Sequence, residues 1–150
     1  MHCTAERVKG KRVQIPHDLV TVIRESASGC FAPATGALLR EGDAVLGYLC
    51  LDFDGEPAYA GITEGSWRWE EPYGVVHRLA LNRAGRGRGL SSRVFTLVEE
   101  RCREQGIRCL RADTDPENAR MQHILEKVGF EKRGIIIFQG SGKFAYEKRI

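Results

Sequence analysis

Between residues 79 and 100 the chain reads LALNRAGRGRGLSSRVFTLVEE. An apolar run ends, glycine and arginine alternate, and apolar residues then recur at Leu90, Val94, Leu97, Val98 and Cys102. That recurrence is the spacing of one helix face, and Gly106 stops it. IRCLRADT, residues 107–114, follows as a strand. Strand, glycine loop, helix and strand in that order predict a right-handed parallel crossover.

The flanking segments fill in a mixed α/β plan. KRVQI (11–15) reads as a short strand. Pro16, His17 and Asp18 are expected to start a helix running to about Ser26, with Leu19, Val22 and Ile23 on one face. ALLREGDAVLGYLCLDF reads as two strands joined at Glu41-Gly42-Asp43, and VVHRLAL (75–81) as another. Residues 55–74 look irregular and carry both tryptophans. Asp115 is the expected cap of a second helix with Pro116 in its first turn. Met121, Ile124, Leu125 and Val128 would be that helix's buried stripe. Two last strands are expected around Gly140-Ser141-Gly142.

Several function classes drop out early. A chain of 150 residues, 42% hydrophobic and 29% charged, has the length and composition of one globular domain. Its five cysteines, Cys3, Cys30, Cys50, Cys102 and Cys109, form no C-x-x-C pair, which argues against a zinc site or a disulfide framework. They read as reduced, buried thiols. No metal is expected. The opening MHCTAERVKGKR has no apolar stretch behind it, and no run approaches the roughly 20 residues that span a bilayer. The expectation is a cytoplasmic protein without a membrane partner.

The segment RGRGLSS (86–92) looks like a phosphate cradle. Helix starts leave backbone N–H groups unpaired and carry partial positive charge, and glycines admit a close anion. Neither G-x-G-x-x-G nor the Walker A lysine is present, so the pattern alone leaves a basic solvated turn or a nucleic-acid contact open. The run Arg86-Gly87-Arg88-Gly89-Leu90-Ser91 resembles the R/Q-x-x-G-x-G/A signature of the GNAT family, the Gcn5-related N-acetyltransferases. ADTDPENARMQHILEKVGFEKRGIIIF is similar to that family's later strand–helix–strand segment. The resemblance runs from about Ala37 to the C-terminus.

The resemblance implies a single GNAT domain over 1–150, with a shortened N-terminal region of about 1–36. Its fold would be α/β: a mixed, mostly antiparallel sheet with the parallel crossover in its middle and helices on both faces. It implies acetyl-CoA as cosubstrate and a small-molecule or peptide amine as acceptor. Backbone N–H groups of Gly87, Arg88, Gly89, Leu90 and Ser91 would hold the pyrophosphate, with charge from Arg86 and Arg88. Leu79 and Leu81 would pair with the pantetheine arm as an added strand does. Asn118 would hydrogen-bond it, unless it is only a helix cap. Two positions depart from the family pattern. Ser91 stands where glycine or alanine is usual. Leu125 stands where a tyrosine often serves as general acid.

Acetyl transfer needs a neutral amine, so a base must take a proton. His77 is the leading base, two residues before Leu79 and on its face of the strand. The plain alternative is a histidine bonded within the sheet. Glu64, Glu70 and Glu71 precede it and would act through water. Arg78, on the other face, reads as structural. Tyr59, Trp67, Trp69 and Tyr73 either wall an acceptor pocket or belong to the core. Asp113 would orient His77 or the amine, or satisfy loop backbone. An acyl-CoA-binding module without turnover is the alternative function. A nucleic-acid binder using Arg83, Arg86, Arg88 and Arg93 lacks a basic face elsewhere, so no nucleic-acid partner is expected. A homodimer is compatible with the sequence.

Overall fold

The computed structural model describes the backbone of residues 4–8, 11–15, 20–25, 35–41, 44–82 and 89–150, and the side chains of Leu39, 45–82 and 89–150. The chain divides into two compact units: Met1–Asp52 with Val76–Arg88, and Phe53–Val75 with Gly89–Ile150.

The first unit is built of strands. β1 (Thr4–Val8) and β2 (Lys11–Ile15) form an antiparallel hairpin with Val8 opposite Lys11. β3 (Val20–Glu25), β4 (Thr35–Glu41) and β5 (Ala44–Asp52) form an antiparallel meander, with β6 (Tyr73–Leu81) beside β5. Glu41 pairs with Ala44, so β4 and β5 are the two strands expected on either side of Gly42 and Asp43, which lie outside the described residues. Leu39, Leu46, Leu49 and Val76 are buried here.

The helix expected from Pro16 to Ser26 is not formed: Val20–Glu25 is strand β3. Val20, Thr21, Val22 and Ile23 are all β-branched, which stiffens χ1 and favours a pleated strand. Six residue pairs with β4, from Val20↔Arg40 to Glu25↔Thr35, take up its backbone. The spacing of Val22 and Ile23 fits a short apolar strand as well as a helix face.

The second unit holds the helices. A 3-10 helix (Pro57–Gly61) is capped by Glu56, whose Oε1 accepts from Ala58 N–H at 3.1 Å. Then follow α1 (Leu90–Glu104), β7 (Cys109–Thr114), α2 (Ala119–Lys127), β8 (Glu131–Phe138) and β9 (Ser141–Arg149). Strands β7, β9 and β8 lie in that order, antiparallel throughout. α1 buries Leu90, Val94, Phe95, Val98 and Cys102, the predicted face with Phe95 added and Leu97 only half-buried. Each such side chain contributes about 1.5–3 kcal/mol. Phe95 meets Phe130 edge-on, 5.4 Å between centroids. A second cluster joins Tyr59, Val75, Ile136 and Ala145. Gly106, left-handed at φ 73°, ends α1 by donating to the Arg103 carbonyl at 3.0 Å.

Three local expectations in this unit shift. The cap of α2 is Asn118, which accepts from Met121 N–H at 3.0 Å. Asp115 instead closes a turn, accepting from Glu117 N–H at 2.9 Å, which leaves Pro116 before the helix. Of the predicted stripe only Leu125 is fully buried; Met121, Ile124 and Val128 are half-buried. The β8–β9 turn is Gln139-Gly140, both left-handed at φ 50° and 77°, as a two-residue type I′ hairpin needs.

Candidate functional site

Arg86, Gly87 and Arg88 lie outside the described residues. The cradle is therefore seen from Gly89 onward. Gly89 is the N-cap of α1, left-handed at φ 68°, and no side chain caps the helix there. No acidic residue stands in the first turn. Among the described residues no side-chain oxygen caps the first N–H groups of α1, in a field that favours an anion. Gly89 is exposed, and a Cβ on it would meet nothing within 4 Å. Leu90 and Ser91 are buried, at 2% and 7% exposure. Asn118 is exposed, with its side-chain oxygen committed to Met121 N–H.

On β6, His77, Leu79 and Leu81 are half-buried while Arg78 and Ala80 are exposed, the alternation the sequence predicted. The strand is not regular, however. Arg78 is left-handed at φ 53°, an uncommon state for a residue with a Cβ. Such a residue inside a strand takes its peptide out of the regular ladder, and strain of this kind clusters at functional sites. Sequence reading gave Arg78 only a structural role.

The aromatic-rich loop forms an open cavity of about 530 Å³ in the second unit. Trp67, Tyr73, Glu70, Glu71 and Arg111 line it. Trp67 and Tyr73 line the cavity and also pack on the Tyr59 cluster. Tyr59 itself is core, 1% exposed, and its hydroxyl donates to Asp113 Oδ1 at 2.7 Å. Burial, then the Asp113 charge, pushes that phenol well above its ordinary range. Asp113 thus has a defined partner in Tyr59. Trp69 lies under the Arg68 guanidinium, 5.2 Å from its ring centroid, and Glu64 is exposed; neither lines the cavity.

The loop has little regular structure, so side chains hold it. Arg111 on β7 and Glu147 on β9 face each other in register and pair at 3.1 Å, both buried. Glu147 also accepts from Arg68 N–H at 2.8 Å, and Arg111 donates to the Trp69 carbonyl at 2.7 Å. The guanidinium lies 4.2 Å from the Trp67 centroid and 4.0 Å from that of Tyr73. Trp67 Nε1 donates to the Tyr59 carbonyl at 2.8 Å, and Arg133 Nε to that of Ser66 at 3.2 Å. Sequence reading missed Arg111 and Glu147. The available signal was a charge inside each of two otherwise apolar strands, CLRADT and FAYEKR.

Burial holds the described cysteines as thiols. Cys50, Cys102 and Cys109 are free and buried. Burial is the main cause that pushes the Cys102 and Cys109 thiols up to about 12 and raises that of Cys50. Leu125, in the position of the expected tyrosine, is 2% exposed and part of the core.

The described residues thus combine an α/β fold, a glycine-led helix start without a side-chain cap, and an open cavity on a loop pinned by side chains. The sequence model of the Acetyltransferase (GNAT) family matches residues 8–130. The chain belongs to the GNAT acetyltransferase family. Among solved structures, it is similar to a GNAT-family acetyltransferase from Streptococcus agalactiae, at 29% identity and TM-score 0.66 over 77% of this chain and 65% of that one. A GNAT-family acetyltransferase from Listeria monocytogenes matches at 20% identity and TM-score 0.57, over 77% and 64%. The aminoglycoside acetyltransferase AAC(6')-Ib, solved with coenzyme A, matches at 21% and 0.57, over 77% and 66%. The last two show likeness of fold alone. The chain thus spans slightly less than two thirds of each of these proteins. No curated protein matches it. No helix among the described residues is long and apolar enough to cross a membrane.

Proposed function

We propose that the protein is an N-acetyltransferase, one GNAT domain that moves an acetyl group from acetyl-CoA to a primary amine. The observation that carries this reading is the start of α1: an exposed glycine cap, no side-chain cap and no carboxylate in the first turn. Residues that fit the cosubstrate are Arg86, Gly87, Arg88, Gly89, Leu90 and Ser91 for the pyrophosphate, with Leu79, Leu81 and Asn118 for the pantetheine. The cosubstrate supplies an acetyl thioester, activated toward a neutral amine. His77 accepts the proton the amine must lose. The left-handed backbone at Arg78 supports a role for a β6 backbone N–H as oxyanion donor. Leu125 has no proton to give, so solvent protonates the departing thiolate.

A panel of amines assayed with acetyl-CoA for free thiol tests the reading. Release well above background for some amine is expected. His77→Ala and His77→Gln should lower kcat/KM by about 10²–10⁴-fold, the range for a lost general base. Full activity in both variants would pass the base role to a water chain from Glu70 or Glu71. The buried Leu125 favours the other reading, an acyl-CoA-binding module without turnover. Tight binding of acetyl-CoA with no thiol release across primary amines, polyamines, amino acids and N-terminal peptides would establish it.

A further inference from the structure

We propose that Arg111 and Glu147 are positioning residues for the acceptor: they set the Trp67 and Tyr73 walls of the cavity, which receive the body of the acceptor rather than its reacting nitrogen. That the occupant is an acceptor rests on the transferase reading.

The wall is held by side chains at every step. Ser66, Trp67, Arg68 and Trp69 are consecutive, and no backbone–backbone hydrogen bond joins any of them to another described residue. Each is tied instead by a bond that involves a side chain. The Ser66 carbonyl accepts from Arg133 Nε at 3.2 Å, and Trp67 Nε1 donates to the Tyr59 carbonyl at 2.8 Å. Arg68 N–H donates to Glu147 Oε1 at 2.8 Å, and the Trp69 carbonyl accepts from Arg111 at 2.7 Å. The last two bonds converge on one ion pair, Arg111 and Glu147, with side chains 7% and 0% exposed. The Arg111 guanidinium also lies against both cavity rings, 4.2 Å from the Trp67 centroid and 4.0 Å from that of Tyr73. One planar group thus fixes two rings and the backbone beside them.

Stability alone does not account for such a pair. Two charges taken out of water lose hydration that their attraction barely offsets, and apolar residues of like volume serve a core as well or better. What an apolar pair cannot do is bond the Arg68 N–H and the Trp69 carbonyl. The pair is explained by what it places. The cavity, about 530 Å³, has the size of a small-molecule site, and Ile62, Trp67, Pro72 and Tyr73 give it the apolar lining of one. A wall fixed in advance has no ordering entropy to lose when a ligand arrives. Lysine at position 111 would keep the charge but not the fork or the flat face. Contacts to the body of the acceptor are the same in the ground and transition states, so they appear in KM and not in kcat.

The test is steady-state kinetics on the whole protein with acetyl-CoA. 2-Phenylethylamine, spermidine, phenylalanine and trialanine represent the amine classes of the panel. Arg111→Lys keeps a cation opposite Glu147 and removes the planar group. For the amine that turns over best, KM should rise about tenfold while kcat and the Kd of acetyl-CoA stay within about twofold, the pattern of lost uniform binding. Arg133→Met removes the bond to the Ser66 carbonyl, from a partly exposed side chain, and leaves the buried pair in place. It should raise KM a few-fold, and it decides the matter if Arg111→Lys does not fold. With thiol release intact in the wild type, an unmoved KM in the folded variants, a loss that falls on kcat, or a parallel loss of acetyl-CoA affinity would each overturn the proposal alone. No thiol release by the wild type with any amine of the panel would remove the transferase reading and this proposal with it.

Discussion

The start of α1 and the loop over residues 62–73 are both candidate binding regions, yet they are built by opposite means. At α1 the groups offered to a ligand would be backbone N–H donors, set by one left-handed glycine that carries no side-chain cap. Nothing distant is needed, and a Cβ on Gly89 would have open space. The loop depends on partners far along the chain. Thr63 exchanges two 2.8 Å backbone bonds with Ile135, and Arg68 N–H reaches Glu147. Gly65 and Gly134 allow that approach: a Cβ on Gly65 would stand 1.9 Å from the Arg133 carbonyl oxygen. A backbone site can be written in six consecutive letters. A side-chain site is written in residues that only the fold brings together.

The largest effect should come from breaking the loop's anchor. Glu147→Gln leaves the buried Arg111 guanidinium without its counter-charge, and losing one partner of a buried pair costs about 3–5 kcal/mol. Urea unfolding should register that loss, with the same order expected for Arg111→Met. The α1 start should be unharmed, so acetyl-CoA should still raise the melting temperature of whatever fraction is folded. A drop below about 1 kcal/mol, the worth of a surface pair, would show that the loop is not held this way.

Gly89→Asp attacks the other region. Acetyl-CoA at a hundredfold excess over its Kd should stabilise the wild type by about 2.7 kcal/mol. The variant puts a carboxylate and a Cβ at the anion end of α1, so the shift should vanish. The loop cavity should keep its tryptophan fluorescence. A full thermal shift in the variant would remove the phosphate role of this helix start.

Alkaline pH should weaken the second unit through its thiols. Cys102 and Cys109 are held at about 12 when folded, against an ordinary value of 9.0. Both are protonated in either state below about 9, and there the stability is intact. Above that the unfolded chain loses its thiol protons first, so stability falls until the folded thiols titrate. For Cys109 the Glu147 charge adds to burial. Glu147→Gln should therefore soften the alkaline loss relative to its own neutral-pH stability, while Cys102→Ala should soften it without involving the loop. An unfolding free energy flat from neutral pH into this range would contradict the assignment.

How much could be read beforehand follows the same division. The helix of residues 90–104, the strand of 75–81 and the glycine start between them were legible because each depends on near neighbours. Leu125 was legible as a departure from a family pattern, and its burial supplies the reason: the position faces the core. The segment 20–25 misled because a short β-branched run carries too little periodicity to separate strand from helix, and its pairing with β4 decides it. Asp115 and Asn118 both have the chemistry of a cap, and only the turn at Asp115 settles which one serves. Arg111 and Glu147 stayed hidden because their pairing spans 36 residues of sequence. Arg78 gave no sign at all, since a left-handed φ at an arginine is imposed by the surroundings and not by the side chain.

The smallest expected effect concerns the residue that sits between the two kinds of construction. Asn118 caps α2 through its side-chain oxygen, and its amide nitrogen is the part proposed to meet the pantetheine. The two jobs use different atoms, so they can be separated. Asn118→Ala removes both and should cost about 1 kcal/mol of stability, the usual worth of a cap. Asn118→Asp keeps an acceptor for Met121 N–H and ranks with asparagine as a cap, so stability should be nearly unchanged. It lacks the N–H donor. If that donor meets the cosubstrate, Asn118→Asp should bind acetyl-CoA about tenfold more weakly, as the loss of a hydrogen bond worth about 1 kcal/mol and the added charge together require. Asn118→Ser gives the same answer without the charge, since its hydroxyl also caps but is too short to replace the amide. Wild-type affinity in both folded variants would leave Asn118 as a cap alone. The ligand contacts would then rest wholly on backbone, at α1 and β6.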